Sequence, residues 1–327
     1  MSTKRAHIAQ RLWGWPVAAY LFLLSAGAGA YVTVFILNVI LPDGPVSPFL
    51  PAAKAGLIAA AAFAILAVVF FITNLKSKAN AFRIFIRPFS SWLAAGSYVT
   101  LLFIILDLIL IGIWAKPPVG LNNAPGIITL VLALFMLVYS GMLLKVLKPF
   151  SFWNSWLLPL LCALSGITAG AMFVVLIAAI YGLTGAVNMS RPLLAVIYYL
   201  NFFLLAYLVV LVLFIWQSAR NPLSGSSAQM LVKGRTGYAF WTMVVLFGLV
   251  LPLVAGFYLV SSAQVGLGLL ITLSIIAALC AMTGSYVLRY LILALGIPKT
   301  ITVSGQRVDL HETAFIPVSQ RVKYRCD

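Results

Sequence analysis

Charge is scarce in this sequence. Of 327 residues only 8% are Asp, Glu, Lys or Arg, while 64% are hydrophobic and the mean hydropathy is +1.13. A soluble domain cannot hide that much apolar surface, because its surface scaling forces polar residues outward. The composition therefore specifies an integral membrane protein. Histidine and cysteine are nearly missing too, with two His and three Cys. Cys162, Cys280 and Cys326 are scattered, without C-x-x-C spacing, so neither a disulfide framework nor a metal site is indicated. An iron–sulfur cluster usually needs four thiolates, more than this sequence supplies alone. His7 and His311 both lie outside the apolar runs, which excludes a b-type haem held between helix histidines. A cleavable signal peptide is not expected either: the first apolar run is too long, and no polar domain follows it.

What the sequence has is eight long apolar runs, near 13–41, 52–74, 90–114, 126–147, 156–185, 192–217, 238–260 and 266–296. Each is long enough to cross about 30 Å of hydrocarbon as a helix. The separators, such as PDGPVSPFLP, AKPPVGLNNAPG and NMSRP, carry the proline and glycine that punctuate helices. The predicted fold is all-α with eight transmembrane helices and both termini on one side. Closed β-barrel strands of about ten alternating residues do not fit. Residues 1–12 read as an amino tail, 13–296 as the membrane domain, and 297–327 as a carboxyl tail. In that tail TITVSGQRVDL reads as a short hairpin or extended arm that could dock a partner.

Basic residues are distributed unequally. The face bearing both tails and the 2–3, 4–5 and 6–7 loops carries 17 of the 21 Lys and Arg. The opposite face has only Lys54, Lys116 and Arg191, and Arg289 lies within the last helix. The positive-inside rule then places both termini in the cytoplasm. Topology and attraction to anionic lipid suffice to explain the net charge of +16, and an acidic or polar partner on that face is the sharper alternative.

Ionisable residues inside the hydrocarbon are costly and so are candidates for function. Asp107, in TLLFIILDLILIGIW, lies about 17 residues into the third helix, roughly 25 Å from the basic face. It reads either as a protonated or hydrogen-bonded helix–helix contact or as a proton-path carboxylate. Arg289, in GSYVLRYLILALG, is near the cytoplasmic end of the eighth helix, where snorkelling to the headgroups is the expected behaviour. Tyr20 and Tyr139 fall at one depth, about 10 Å below the basic face, deeper than an interface belt. They suit a headgroup pocket open to lipid, or core packing with an opportunistic hydrogen bond. The small residues Ser25 and Gly29, Ala26 and Ala30, and Gly166 and Gly170 are spaced four apart and predict close helix approach.

The stretches WGWPVAAYLFLLSAGAGAY, IRPFSSWLAAGSY, VYSGMLL, WLLPLLCALSGITAG and GSYVLRYLILALG, taken in order, resemble NrfD-type membrane subunits, the group that includes the polysulfide reductase membrane subunit (PsrC type). The resemblance covers most of residues 11–296. It implies two four-helix bundles and a haem-free anchor for a ferredoxin-like iron–sulfur subunit and a large molybdenum- or tungsten-containing catalytic subunit. Electrons would pass between those clusters and a menaquinone or ubiquinone held in this protein. By the same resemblance Tyr139 occupies a quinone-proximal tyrosine position. Tyr20 stands where a polar residue, histidine in the best-known member, approaches a quinone carbonyl. A tyrosine donates that bond but shuttles protons poorly near neutrality, its reference pKa being about 10. Val17 replaces another polar position, and Asp107 sits in an LDL triplet similar to one in the family's third helix. Asp107 and Arg289 are the proton-pathway candidates. The implied setting is a respiratory complex of the cytoplasmic (inner) membrane, with no nucleic-acid partner. Several relatives dock their partners in the periplasm, whereas here the basic face bears the tyrosines, so the partner is expected in the cytoplasm. A secondary transporter is the rival, opposed by the lack of a clear inverted repeat and by the scarcity of intramembrane charge. A purely structural anchor is the other.

Sidedness is directly testable. A cysteine added to the carboxyl tail should resist an impermeant thiol reagent in intact cells and react after lysis. Ready labelling of intact cells would reverse the assignment.

Overall fold

The computed structural model describes residues 14–40, 50–73, 92–113, 121, 123–146, 150–183, 190–221, 224–261, 266–296, 300–303 and 306–309. Six long helices come first: α1 Trp15–Ile40, α2 Leu50–Thr73, α3 Trp92–Ile113, α4 Ala124–Lys145, α5 Leu157–Leu183 and α6 Ser190–Arg220. A short helix, α7 Gly225–Val232, precedes the seventh span. That span starts as α8 Gly234–Ala239, widens into a π-helix over Phe240–Val250 and ends as α9 Leu251–Ser261. The last span is α10, Leu267–Ala294. Eight of these helical stretches are long and apolar enough to cross a membrane, one for each apolar run, and the protein is a multi-pass integral membrane protein.

Two local features escape the apolar-run reading. The polar separator after α6 is helical at Gly225–Val232, where Ser227, Ala228 and Leu231 form a buried face. The seventh span meets Pro252 just after its π-helical stretch. Proline lacks an N–H and its ring clashes with the carbonyl four residues earlier, and a widened turn accommodates both faults. In the carboxyl arm β1 Thr300–Val303 pairs antiparallel with β2 Gln306–Asp309, with Ile301 opposite Val308, as TITVSGQRVDL suggested. The amino tail, Trp13 and the rest of the carboxyl tail lie outside the described residues.

The helices close into two rings of four. In the first, α1 packs on α2, α2 on α3, α3 on α4 and α4 on α1. In the second, α5 packs on α6, α6 on the seventh span, the seventh span on α10 and α10 on α5. The rings join where α1 meets both α5 and α10, and where α5 also meets α4. This is the two-bundle architecture that the resemblance implied.

Lipid tails are as apolar as leucine, so helices associate here by close packing rather than by hydrophobic exclusion. SAGAGA in α1 provides it on two sides at once. Ser25 and Gly29, one helical turn apart, face α5, where a Cβ on Gly29 would sit 2.9 Å from the Ile167 Cα. The reciprocal contact is as tight: a Cβ on Gly170 would lie 2.6 Å from the Ala26 carbonyl oxygen. Gly27, roughly half a turn away, meets α2, 2.9 Å from the Ala60 carbonyl oxygen by the same measure. At the ends of α4 and α6, cations cover exposed indoles: Lys145 Nζ lies 2.7 Å above Trp156 and the Arg220 guanidinium 3.9 Å above Trp216. Such amphipathic pairs belong at a membrane–water boundary.

Gly170→Leu should block the α1–α5 crossing and lower the thermal midpoint in detergent, by overpacking that costs about 1–3 kcal/mol or more. Gly112→Leu, where a Cβ meets nothing within 4 Å, should leave the midpoint unchanged.

Candidate functional site

The α1–α4 contact aligns two phenols. Tyr20 lies five residues after the start of α1 and Tyr139 six before the end of α4, and the helices run antiparallel. They share one depth and face each other closely enough for their hydroxyls to interact electrostatically. No hydrogen bond closes between them, and the buried Tyr139 hydroxyl has no partner. The Tyr20 ring packs on Phe71 at 5.2 Å and Tyr139 stacks on Phe135 at 6.1 Å and 19°. At the outer end of this aromatic group, Trp15 meets Phe70 edge-on at 6.1 Å. Gly96 of α3 completes the setting, since any Cβ there would overlap the Tyr139 ring. Val17 packs against the core, as its apolar side chain requires.

The phenols are more enclosed than a pocket open to lipid would leave them. Tyr20 is 8% exposed and Tyr139 1%. Phe71 and Phe135 lie against the two rings, and the Gly96 contact draws α3 onto Tyr139. The exposed edge of this aromatic group is at Trp15.

Arg289 does not snorkel. It is 3% exposed, and its Nη2 donates to Ser25 Oγ at 2.6 Å and to the Cys162 carbonyl at 3.0 Å. Its Nη1 donates to the Ser285 carbonyl at 3.2 Å, and the guanidinium lies 5.7 Å from the centre of the Phe22 ring. The reason is geometric. Side chains on a helix lean toward its N-terminus, so a residue near the end of α10 points deeper into the bundle and away from the nearby face. That face is also capped: Trp153, buried before α5, donates its indole N–H to the Ile292 carbonyl at 2.9 Å. Phe150 packs on its ring at 4.1 Å, and the preceding Phe152 packs on Phe214 at 5.3 Å. The Arg289 Nε and the nearby Tyr207 hydroxyl have no hydrogen-bond partner.

Asp107 lies in the other half of the first bundle. It is fully buried and neither carboxyl oxygen has a hydrogen-bond partner. Its electrostatic neighbour is Tyr31, which donates to the Gly126 carbonyl at 2.9 Å and packs on Phe103 at 5.6 Å. Gly126 in turn is capped by Asn123 Oδ1 at 2.8 Å, and Asn38 Oδ1 accepts from Leu121 N at 3.2 Å. These bonds tie the start of α4 to α1.

Of the four residues singled out in the sequence, Tyr20 and Tyr139 are thus brought together. Arg289 sits at the junction of the bundles, and Asp107 stands apart. Gly96, Ser25 and Cys162 carry parts of this arrangement that sequence reading missed. Gly96 is within the quoted AAGSY stretch, but only the α3–α4 contact reveals its ring-sized partner. Ser25 reads as a packing residue and proves to be a hydrogen-bond acceptor as well.

Comparison with known proteins agrees in extent with this architecture. The family model described as "Polysulphide reductase, NrfD" matches residues 3–299. The C subunit of polysulfide reductase from Wolinella succinogenes is 27% identical over 307 residues, spanning 87% of this sequence and 94% of that protein. Protein NrfD of Escherichia coli (strain K12) is 26% identical over 194 residues, spanning 52% of this sequence and 60% of that protein.

Gly96→Val should expel the Tyr139 ring from its seat while leaving the α1–α5 crossing intact. Quenching of a probe placed beside Tyr139 should rise, with a thermal destabilisation of about 1–3 kcal/mol from the overpacking. A ring as shielded as in the unaltered protein would show that Gly96 does not position it.

Proposed function

The protein belongs to the polysulphide reductase NrfD family, and from that membership we propose that it is the haem-free, quinone-reactive membrane subunit of a multi-subunit oxidoreductase. The relative from Wolinella is by name one part of a polysulfide reductase, which supports a subunit role. The observation that carries the quinone reading is the buried, unpartnered Tyr139 hydroxyl beside Tyr20, walled by aromatic rings. A buried polar group without a partner costs free energy, and such a group persists where a ligand satisfies it in use. Flat aromatic walls and two O–H donors suit a ring bearing two carbonyl oxygens.

Quinone, when bound, supplies the exchange of two electrons and two protons. The protein's part is to bind and orient. Tyr20 and Tyr139 would hold the quinone by donating to carbonyl oxygen, with Phe71 and Phe135 packed on the two phenols and Gly96 seating Tyr139. Substrate chemistry takes place in other subunits: a ferredoxin-like iron–sulfur subunit brings its cluster against the basic face, with a large catalytic subunit beyond it. The weight of Lys and Arg on the face nearest the phenols supports docking there, in the cytoplasm, with this protein N-in and C-in in the inner membrane. Asp107 and Arg289 are the proton-pathway candidates. The unpartnered carboxylate supports Asp107 as a relay toward the opposite face. The cap at Trp153 weighs against a route from the basic face straight to Arg289.

In the assembled complex, Tyr20→Phe and Tyr139→Phe should each lower quinone turnover several-fold, about tenfold when a lost hydrogen bond is worth ~1.4 kcal/mol. Subunit composition should not change. Full turnover in both variants would remove the phenols from the site.

A further inference from the structure

We infer that Arg289 acts as an electrostatic positioning residue for the Tyr20–Tyr139 site, its uncompensated charge favouring an anionic ring ligand there. This rests on the quinone reading above and names the form of ligand that the site prefers. Guanidinium remains protonated in proteins, so burial does not neutralise it as it would a lysine. A buried cation ordinarily has a carboxylate beside it. Here Ser25 Oγ and the Cys162 and Ser285 carbonyls accept its hydrogen bonds, and all three are neutral. Among the described residues of the spans the only acid is Asp107, on α3, a helix without close packing against α10.

The charge is held near the phenols by two helices that carry them. On α1, Ser25 follows Tyr20 by five residues, a rise of about 7.5 Å. On the α4 side, Cys162, whose carbonyl binds Arg289, lies against Ser140, the neighbour of Tyr139. The helix rise alone then puts the guanidinium on the order of 12 Å from the hydroxyl pair, farther than its direct neighbours Cys162 and Tyr207. At that separation, with an effective dielectric of about 20, one unit charge biases a charged ring about tenfold over a neutral one.

The test is equilibrium binding to the whole complex in nanodiscs with two probes of one shape. One is an alkyl-tailed 2-hydroxy-1,4-naphthoquinone, ionised at neutral pH, and the other its neutral 2-methoxy ether. The unaltered complex should prefer the ionised probe by about tenfold beyond any intrinsic difference. Arg289→Gln should abolish that margin, and Arg289→Lys, whose ammonium burial would neutralise, should lose most of it. Cys162→Asp supplies the missing counter-charge with Arg289 in place and should abolish the margin too, while Cys162→Ser should not. It carries the test if Arg289→Gln fails to assemble. A margin unchanged in Cys162→Asp and Arg289→Gln, with both probes still weakened by Tyr20→Phe, would overturn this inference and leave the quinone site standing. Probes that bind without regard to Tyr20 and Tyr139 would overturn the site, and this inference with it.

Discussion

The close crossing of α1 and α5 is the constraint on which the rest of the molecule depends. Gly29 and Gly170 let the two backbones touch, and no side chain larger than hydrogen fits either position. Without that approach Ser25 on α1 and the Cys162 carbonyl on α5 could not both reach one guanidinium from α10. The same crossing makes α1 a member of both bundles in effect. It is ringed by α2, α4, α5 and α10, and its inward residues meet a different polar partner at each depth. Tyr20 meets Tyr139, Ser25 meets Arg289, and Tyr31 meets the Gly126 carbonyl. In lipid these contacts add to packing, and they fix the rotation of a helix that apolar surface alone would leave undetermined.

Ionisable groups follow from this arrangement in an unusual way. Asp107 and Arg289 are both buried in membrane helices, belong to different bundles, and are satisfied by no opposite charge among the described residues. A pair that merely held helices together would be expected to meet. Each instead keeps an unfilled polar atom: both carboxyl oxygens of Asp107, and the Arg289 Nε beside the Tyr207 hydroxyl. Retaining two such costs within one domain is difficult to explain by packing, and both residues are the proton-pathway candidates of the proposed function.

Much of this was legible in the sequence, and the failures have physical causes. The eight spans were readable because a helix that crosses lipid must be apolar for its whole length. The pairing of Tyr20 with Tyr139 was readable because antiparallel topology converts residue counts into depth. Depth alone misled for Arg289: counted from the face it seemed able to reach the headgroups, but the lean of Cα–Cβ toward the helix N-terminus sends it inward. The seat at Gly96, the Trp153 cap and the π-helical turn before Pro252 depend on contacts between distant segments, which residue spacing does not encode. The closeness of aromatic packing around the phenols was hidden for the same reason.

The central claim is that a ring ligand is held between the first turns of α1 and the last turns of α4. A photoreactive azidoquinone, cross-linked to the assembled complex and located by peptide mapping, addresses it most directly. The account predicts label on the segments around Tyr20 and Tyr139, removed by competing quinone. Competable label confined to α6 or the seventh span would contradict it.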